Sequence, residues 1–353
     1  MSKIDFSKRE ILKYIGDFSQ LFGTKEYTLS GGKSHGVQAI DVKSGSGLEF
    51  TVFPDRGMDI AWLTYKGSNL SYISKTGIVA PEYYNESGTH FFRNFYAGFL
   101  TTCGLRNVGS PCVDDDEAFG LHGRISNTPA EAVYSGIEWI DGQPVIKVKG
   151  RMREARFFGE YLTLEREITC IGGDNKIMIR DTVENNGFKR EPLMVLYHFN
   201  MGYPLLNENS NLEIPSRQVT PRDEEAEKGL DSYYKVQQPS PNYAEQVFYH
   251  DLKADSNGDT CVALINEEIE LGIALRFNKS QLPNLTQWKQ MGEGEYVLGI
   301  EPCNCLVAGR ADANQKGILE YLEPGEVSHF EVEIEILEGS SNIQRIKSEI
   351  SML

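Results

Sequence analysis

The sequence predicts an all-β protein: one large antiparallel sandwich with a short N-terminal helix. Three observations lead there. Short runs of alternating apolar and polar residues recur between Val37 and Leu337, separated by Gly, Asn and Ser turns. No long helical pattern lies between these runs, which argues against a parallel α/β sheet. No short repeat period is visible, which argues against a propeller or solenoid.

The elements follow in order. Ile11, Leu12, Ile15, Phe18 and Leu21 recur at helical spacing, predicting an amphipathic helix over Ser7–Phe22. Val37, Ile40 and Val42, then Leu48, Phe50 and Val52, form two runs joined by Ser44-Gly45-Ser46-Gly47, a hairpin pattern. Strands are expected over Pro144–Gly150 and Tyr161–Cys170. Gly172-Gly173-Asp174-Asn175 then turns the chain into Lys176–Val183, and Asn185-Asn186-Gly187 turns it into Pro192–Asn200. In His329–Leu337, Phe330, Val332, Ile334 and Ile336 alternate with Glu331, Glu333 and Glu335, so one face is apolar and the other acidic. Pro204–Gly258 is the least strand-like stretch and reads as a surface excursion or a lid. The expected division is residues 1–29 as a helical extension, 30–340 as a single sandwich domain and 341–353 as a tail.

Bulk properties exclude several classes. A chain of 353 residues can bury a core without metal or disulfide support. Its net charge of −16 would repel phosphates, so neither nucleic acid nor an anionic membrane is an expected partner. Six cysteines show no paired framework, and Cys303-Asn304-Cys305 alone is a poor zinc signature; no metal or cofactor is expected. The opening Met1-Ser2-Lys3-Ile4-Asp5-Phe6 has no apolar signal core, and no run reaches membrane-span length, so a cytoplasmic location is expected. Edge strands in a long sandwich make a homodimer possible.

Five segments could carry chemistry. In Tyr197-His198-Phe199-Asn200-Met201-Gly202-Tyr203, strand alternation puts His198 and Asn200 on one face and Tyr197, Phe199 and Met201 on the other. Imidazole exchanges protons near neutrality. Gly299-Ile300-Glu301-Pro302 ends an apolar strand in a carboxylate, which is costly to bury unless paired or used. Phe119-Gly120-Leu121-His122-Gly123-Arg124 places His122 and Arg124 on flexible backbone. Pro54-Asp55-Arg56-Gly57-Met58-Asp59 is either a self-satisfied ion-pair turn or a presentation of Arg56 to ligand oxygens. Gln287-Trp288-Lys289-Gln290 offers an aromatic platform beside a cation. Singly, each has a structural alternative: a core histidine, a structural salt bridge, an idle loop residue or a packed indole.

Their order along the chain resembles the galactose mutarotase-like superfamily, and within it an aldose 1-epimerase-like, largely uncharacterised bacterial branch. The resemblance is carried by Pro54–Asp59, Thr101-Thr102-Cys103-Gly104-Leu105, Leu121–Arg124, Tyr197–Asn200, Gln287–Lys289 and Glu301-Pro302. It spans about residues 30 to 337.

The resemblance implies a β-supersandwich that binds a sugar on a concave face. It implies His198 as the general acid on the ring oxygen and Glu301 as the general base on the anomeric hydroxyl, facing each other across a cleft. It further implies His122 and Arg56 as substrate ligands and Trp288 and Lys289 at the rim, with Asn200, Arg93 and Arg124 as further binding residues. The implied reaction interconverts α and β anomers without a cofactor. The segments after His198 (Asn-Met-Gly-Tyr-Pro) and Glu301 (Pro-Cys-Asn) depart from hexose mutarotases. A noncatalytic sugar-binding protein, or another sugar isomerase or lyase, stays open as an alternative.

Overall fold

The computed structural model describes residues 6–353. The segment read for a signal core therefore lies, up to Asp5, outside the described residues. The architecture is all-β, with three principal sheets whose strand pairs are antiparallel. A five-stranded sheet runs in chain order from Gly23–Thr28 to Ser68–Asn69. An eight-stranded sheet is built around Gln143–Ala155, Tyr161–Ile171, Lys176–Asn185 and Val327–Glu338. A six-stranded sheet has the spatial order Ser216–Pro221, Gln246–Leu252, Asn284–Gly292, Glu295–Cys303, Met194–Met201, Leu100–Leu105.

One apolar core joins all three sheets. Ile40, Val52 and Ile60 meet Ile179, Leu164 and Ile334, together with Tyr197, Phe199 and Ile300 of the six-stranded sheet. Strand alternation therefore turns His198, Asn200 and Glu301 to that sheet's other face. Sequence separation is no obstacle, because strands distant in the chain pair directly: Met194–Met201 lies between Glu295–Cys303 and Leu100–Leu105.

Three regions differ from the sequence expectation. The helix expected over Ser7–Phe22 shrinks to one turn, Lys8–Ile11, and a 3-10 turn, Phe18–Gln20. Gly16-Asp17 divides them: Asp17 accepts a hydrogen bond from the Ser19 backbone N–H at 2.8 Å and starts the second turn afresh. Gly23–Thr28 is a strand paired with Gln38–Lys43. Pro204–Gly258 contributes the edge strand Ser210–Glu213 to the eight-stranded sheet, and Ser216–Pro221 and Gln246–Leu252 to the six-stranded sheet. The last residues form a helix, Gly339–Ser351, which buries Ile343, Ile346 and Ile350 against Cys261, Ala263 and Ile265.

Candidate functional site

The His198 and Glu301 strands are hydrogen-bonded neighbours. Their register pairs Leu196 with Cys303, Phe199 with Ile300 and Asn200 with Gly299, which sets His198 opposite Glu301. Residues opposite one another share a face. His198 Nε2 lies 3.1 Å from Glu301 Oε1. That is ion-pair distance, but the approach is off the line of a hydrogen bond: Glu301 Oε1 and His198 Nδ1 are both buried without a hydrogen-bond partner among the described residues. The two residues thus touch within one sheet and do not face each other across a cleft. His198 is 5% and Glu301 2% exposed.

Burial opposes charge on both groups. It pushes the His198 imidazole down to about 3, with nearby His122 adding in the same direction. It pushes the Glu301 carboxyl well above the usual carboxylate range; Glu245 adds to this and Arg222 opposes it. The favoured state of the pair is a neutral imidazole beside a protonated carboxyl.

A cavity of about 110 Å³ opens over the pair. Its walls include Phe91, Phe95, His122, Arg222, Glu245 and Trp288. The His198 ring packs edge-on at 5.4 Å from Phe95, 5.3 Å from Trp288 and 5.9 Å from His122, measured between ring centroids. His122 sits in the left-handed region, held between Gly120 and Gly123. A Cβ on Gly123 would lie 2.3 Å from the Gly104 carbonyl oxygen, so only glycine lets this loop pack so closely. The Gly109 backbone N–H donates to His122 Nδ1 at 3.4 Å, leaving Nε2 to carry the proton of the neutral ring. Burial pushes His122 down to about 4. Trp288 Nε1–H donates to Glu245 Oε2 at 2.7 Å, and Arg222 Nη2 donates to Glu245 Oε1 at 3.0 Å, fixing the indole.

A larger hollow of about 440 Å³ lies on the N-terminal sheet among Lys25, Asp41, Lys43 and Glu49. It has no buried acid–base pair; Asp41 there accepts hydrogen bonds from Tyr27 and Thr51 hydroxyls. Among the described residues no group of three or more His, Cys, Asp or Glu could hold a metal ion, and all six cysteines are free. No helix among them is long and apolar enough to cross a membrane.

Of the residues singled out from sequence, His198, Glu301, His122 and Trp288 line this cavity. Asn200 lies beside it on the His198 face, with its Nδ2 donating to the His198 carbonyl at 2.8 Å. The other four are elsewhere. Arg56 is buried and donates to the carbonyls of Ser126, Val79 and Asn94, so its fork is used on backbone. It braces the loop bearing Phe91 and Phe95 rather than a ligand. Arg93 is exposed on that loop, outside the cavity lining. Arg124 pairs with Glu86, Glu117, Glu154 and Glu160 in a separate ion network. Lys289 alternates to the face opposite Trp288, where it is 2% exposed and donates to the Ser232 carbonyl at 3.2 Å. Burial lowers its ammonium to about 8.

Sequence reasoning missed Phe91, Phe95, Arg222, Glu245 and Gly299. The last had a signal: a glycine inside an apolar strand marks close approach. A Cβ on Gly299 would lie 2.5 Å from Glu301 Oε1, 3.0 Å from Trp288 Cβ and 3.4 Å from His198 Cε1. The Phe91/Phe95 spacing was also visible, but nothing tied it to the His198 strand.

Comparison with known proteins bears on the fold and the family. No curated protein sequence matches the chain. The solved structures similar to it include a protein named "putative aldose 1-epimerase" from Klebsiella pneumoniae subsp. pneumoniae MGH 78578, 25% identical, with a TM-score of 0.90 over 98% of this chain and 94% of that one. A galactose mutarotase-like protein from Clostridium acetobutylicum is 16% identical, with a TM-score of 0.65 over 90% of this chain and 99% of that one. Galactose 1-epimerase from Lactobacillus acidophilus NCFM is 15% identical, with a TM-score of 0.59 over 90% and 99% respectively. These likenesses establish the galactose mutarotase-like fold. The family model described as "Domain of unknown function (DUF4432)" matches residues 34–336, and the chain therefore belongs to that family, within the galactose mutarotase-like superfamily.

Proposed function

We propose that the protein interconverts the α and β anomers of an aldose by acid–base catalysis, without a cofactor. The observation that carries this reading is the buried His198–Glu301 contact, with one unpartnered polar atom on each residue, at the floor of an aromatic-walled cavity. The two oxygens that exchange protons in anomer interconversion, the ring oxygen and the anomeric hydroxyl, are bonded to the same carbon. An acid and a base that serve both must therefore be adjacent, as these two are.

Ring opening moves one proton from the anomeric hydroxyl to Glu301 and one from His198 to the ring oxygen. It starts from an imidazolium–carboxylate pair and leaves a neutral imidazole and a carboxylic acid beside the open-chain aldehyde. That neutral pair is the state burial favours. Burial favours that neutral pair before the sugar binds as well, so the reactive imidazolium–carboxylate form is reached by passing a proton from Glu301 to His198, and the cost of that transfer counts towards the barrier. After the carbonyl rotates, Glu301 returns its proton to the carbonyl oxygen and His198 recovers its own as the ring closes on the other face. His122 Nε2–H serves as a hydroxyl donor, and Trp288, held by Glu245, offers an apolar face to the sugar ring.

Freshly dissolved single anomers of a panel of aldoses, followed by NMR with and without protein, test this reading. At least one aldose should equilibrate faster with the wild type, and His198→Asn should remove the acceleration while the circular dichroism spectrum is retained. Full activity in that variant would exclude the mechanism. The Gly299 contact gives a second expectation. Gly299→Ala should lower the exchange rate by roughly 10²-fold, because a displacement on the order of 1 Å at a reacting group has that effect. The same assay on the purified variant reads it out; unchanged activity would show that Glu301 can move aside without consequence.

A further inference from the structure

The cleft does not end at the acid–base pair. A second cavity, about 260 Å³, adjoins it and shares Phe92, Phe95, Glu245 and Trp288 with the first. The two lie in sequence along one face of the paired strands Asn284–Gly292 and Glu295–Cys303. Thr286 pairs with Glu301 under the first cavity, Trp288 with Gly299 at the junction, and Gln290 with Val297 under the second. From Thr286 to Gln290 is four strand residues, about 13 Å, more than the width of one sugar ring. At the junction Gly299 raises no side chain from the floor, and Phe95, Glu245 and Trp288 form walls common to both spaces.

The lining fixes the chemistry of an occupant. Phe92 is 59% exposed at the shared lip, an aromatic surface open to a ring lying across the junction. Hydroxyl and amide groups of Tyr72, Ser74, Thr76 and Gln290 ring the second cavity. The cations that line the two spaces are committed: Lys75 pairs with Glu295, and Arg222 with Glu245 and Asp223. No unpaired cation among the described lining residues is left for a phosphate or carboxylate. The surface suits a polyhydroxylated, uncharged ligand longer than one ring.

We propose that the second cavity is a sugar subsite and that the cleft takes an uncharged oligosaccharide, its reducing-end unit over His198 and Glu301 and its next unit beside Trp288 and Gln290. This rests on the anomer-exchange reading for the position of the reducing end. The subsite is tested by calorimetric titration of the full-length protein with glucose, galactose, maltose, cellobiose and lactose, with anomer exchange followed by NMR on the same samples. At least one disaccharide should bind roughly tenfold tighter than either monosaccharide, the margin that two or three added hydrogen bonds supply. Gln290→Trp, which fills the second cavity, should reduce that margin to about twofold or less, and Gln290→Ala should reduce it in part. Disaccharides that bind no tighter than monosaccharides, or a margin untouched by Gln290→Trp, would overturn the subsite. A disaccharide margin without faster anomer exchange would support the subsite while removing the catalytic reading.

Discussion

Glu301→Gln is expected to lower the rate of anomer exchange by about 10²- to 10⁴-fold, the usual worth of one positioned acid or base, without lowering thermal stability at neutral pH. The second half follows from the electrostatics. Burial raises the Glu301 carboxyl well above its ordinary value in the folded state. A carboxyl whose folded pKa lies above its unfolded value holds its proton more tightly when folded, so stability falls as pH rises from the unfolded pKa through the folded one. At pH 8 the native carboxyl is therefore a burden on folding that glutamine, of similar shape and uncharged, does not impose. A structural salt bridge predicts the opposite, since removing one partner of a buried ion pair is strongly destabilising. Melting curves for both proteins at pH 5 and pH 8, beside the NMR exchange assay, separate the two. A variant that is active, or that melts well below the wild type at pH 8, would contradict the assignment.

The largest expected loss of stability comes from Arg166, on the core side of the sheet. Its guanidinium is completely buried; Nε and Nη2 meet both oxygens of Asp181 at 2.9 and 2.6 Å, and Nη1 meets Asp59 at 2.9 Å. Asp181 also accepts the Tyr197 hydroxyl at 2.7 Å, and Asp59 accepts both the Thr102 N–H and its hydroxyl. The network thus clamps Tyr197 from beneath while its neighbour His198 points into the cleft. Arg166→Gln leaves two buried carboxylates without their cation and should cost about 3–5 kcal/mol, measured as a shift in the urea midpoint. Burial already holds Asp59 up at about 6, with Arg166 opposing that rise. Without Arg166 its folded pKa rises further, so the penalty should be larger at pH 8 than at pH 5, where the proton can be taken up. Equal loss at both pH values would show that the carboxylates are compensated by some other group.

How legible was this molecule in its sequence? The sheets were visible because strands carry their own pattern: Tyr161–Ile171, Lys176–Asn185 and Val327–Glu338 fall within two residues of the runs read from alternation. The same alternation placed His198 and Asn200 on one face and, applied to Trp288, would have sent Lys289 to the other. Its position beside a tryptophan suggested a rim cation, and adjacency in a strand means the reverse. Arg56 and Arg124 lie in loops where no period constrains direction, so their partners, backbone carbonyls for one and four glutamates for the other, were not readable. Arg222 and Glu245 came from the stretch with least strand pattern, and reached the cleft only because Gln246–Leu252 pairs with the Trp288 strand. The C-terminal helix, where only a tail is expected from sequence, carries a signal left unread: Ile343, Ile346 and Ile350 are spaced i, i+3 and i+7.

In the proposed mechanism His198 and Glu301 open and close a sugar ring by moving protons between oxygens, touching no carbon–hydrogen bond. A single anomer of each sugar, dissolved in D2O with the wild-type protein and followed at its C1 and C2 protons by NMR, separates this mechanism from one that breaks a carbon–hydrogen bond. Faster anomer equilibration is expected for at least one sugar with both protons retained, and that acceleration should be lost in Glu301→Gln. Deuterium appearing at C2, or no acceleration for any sugar in the panel, would contradict it.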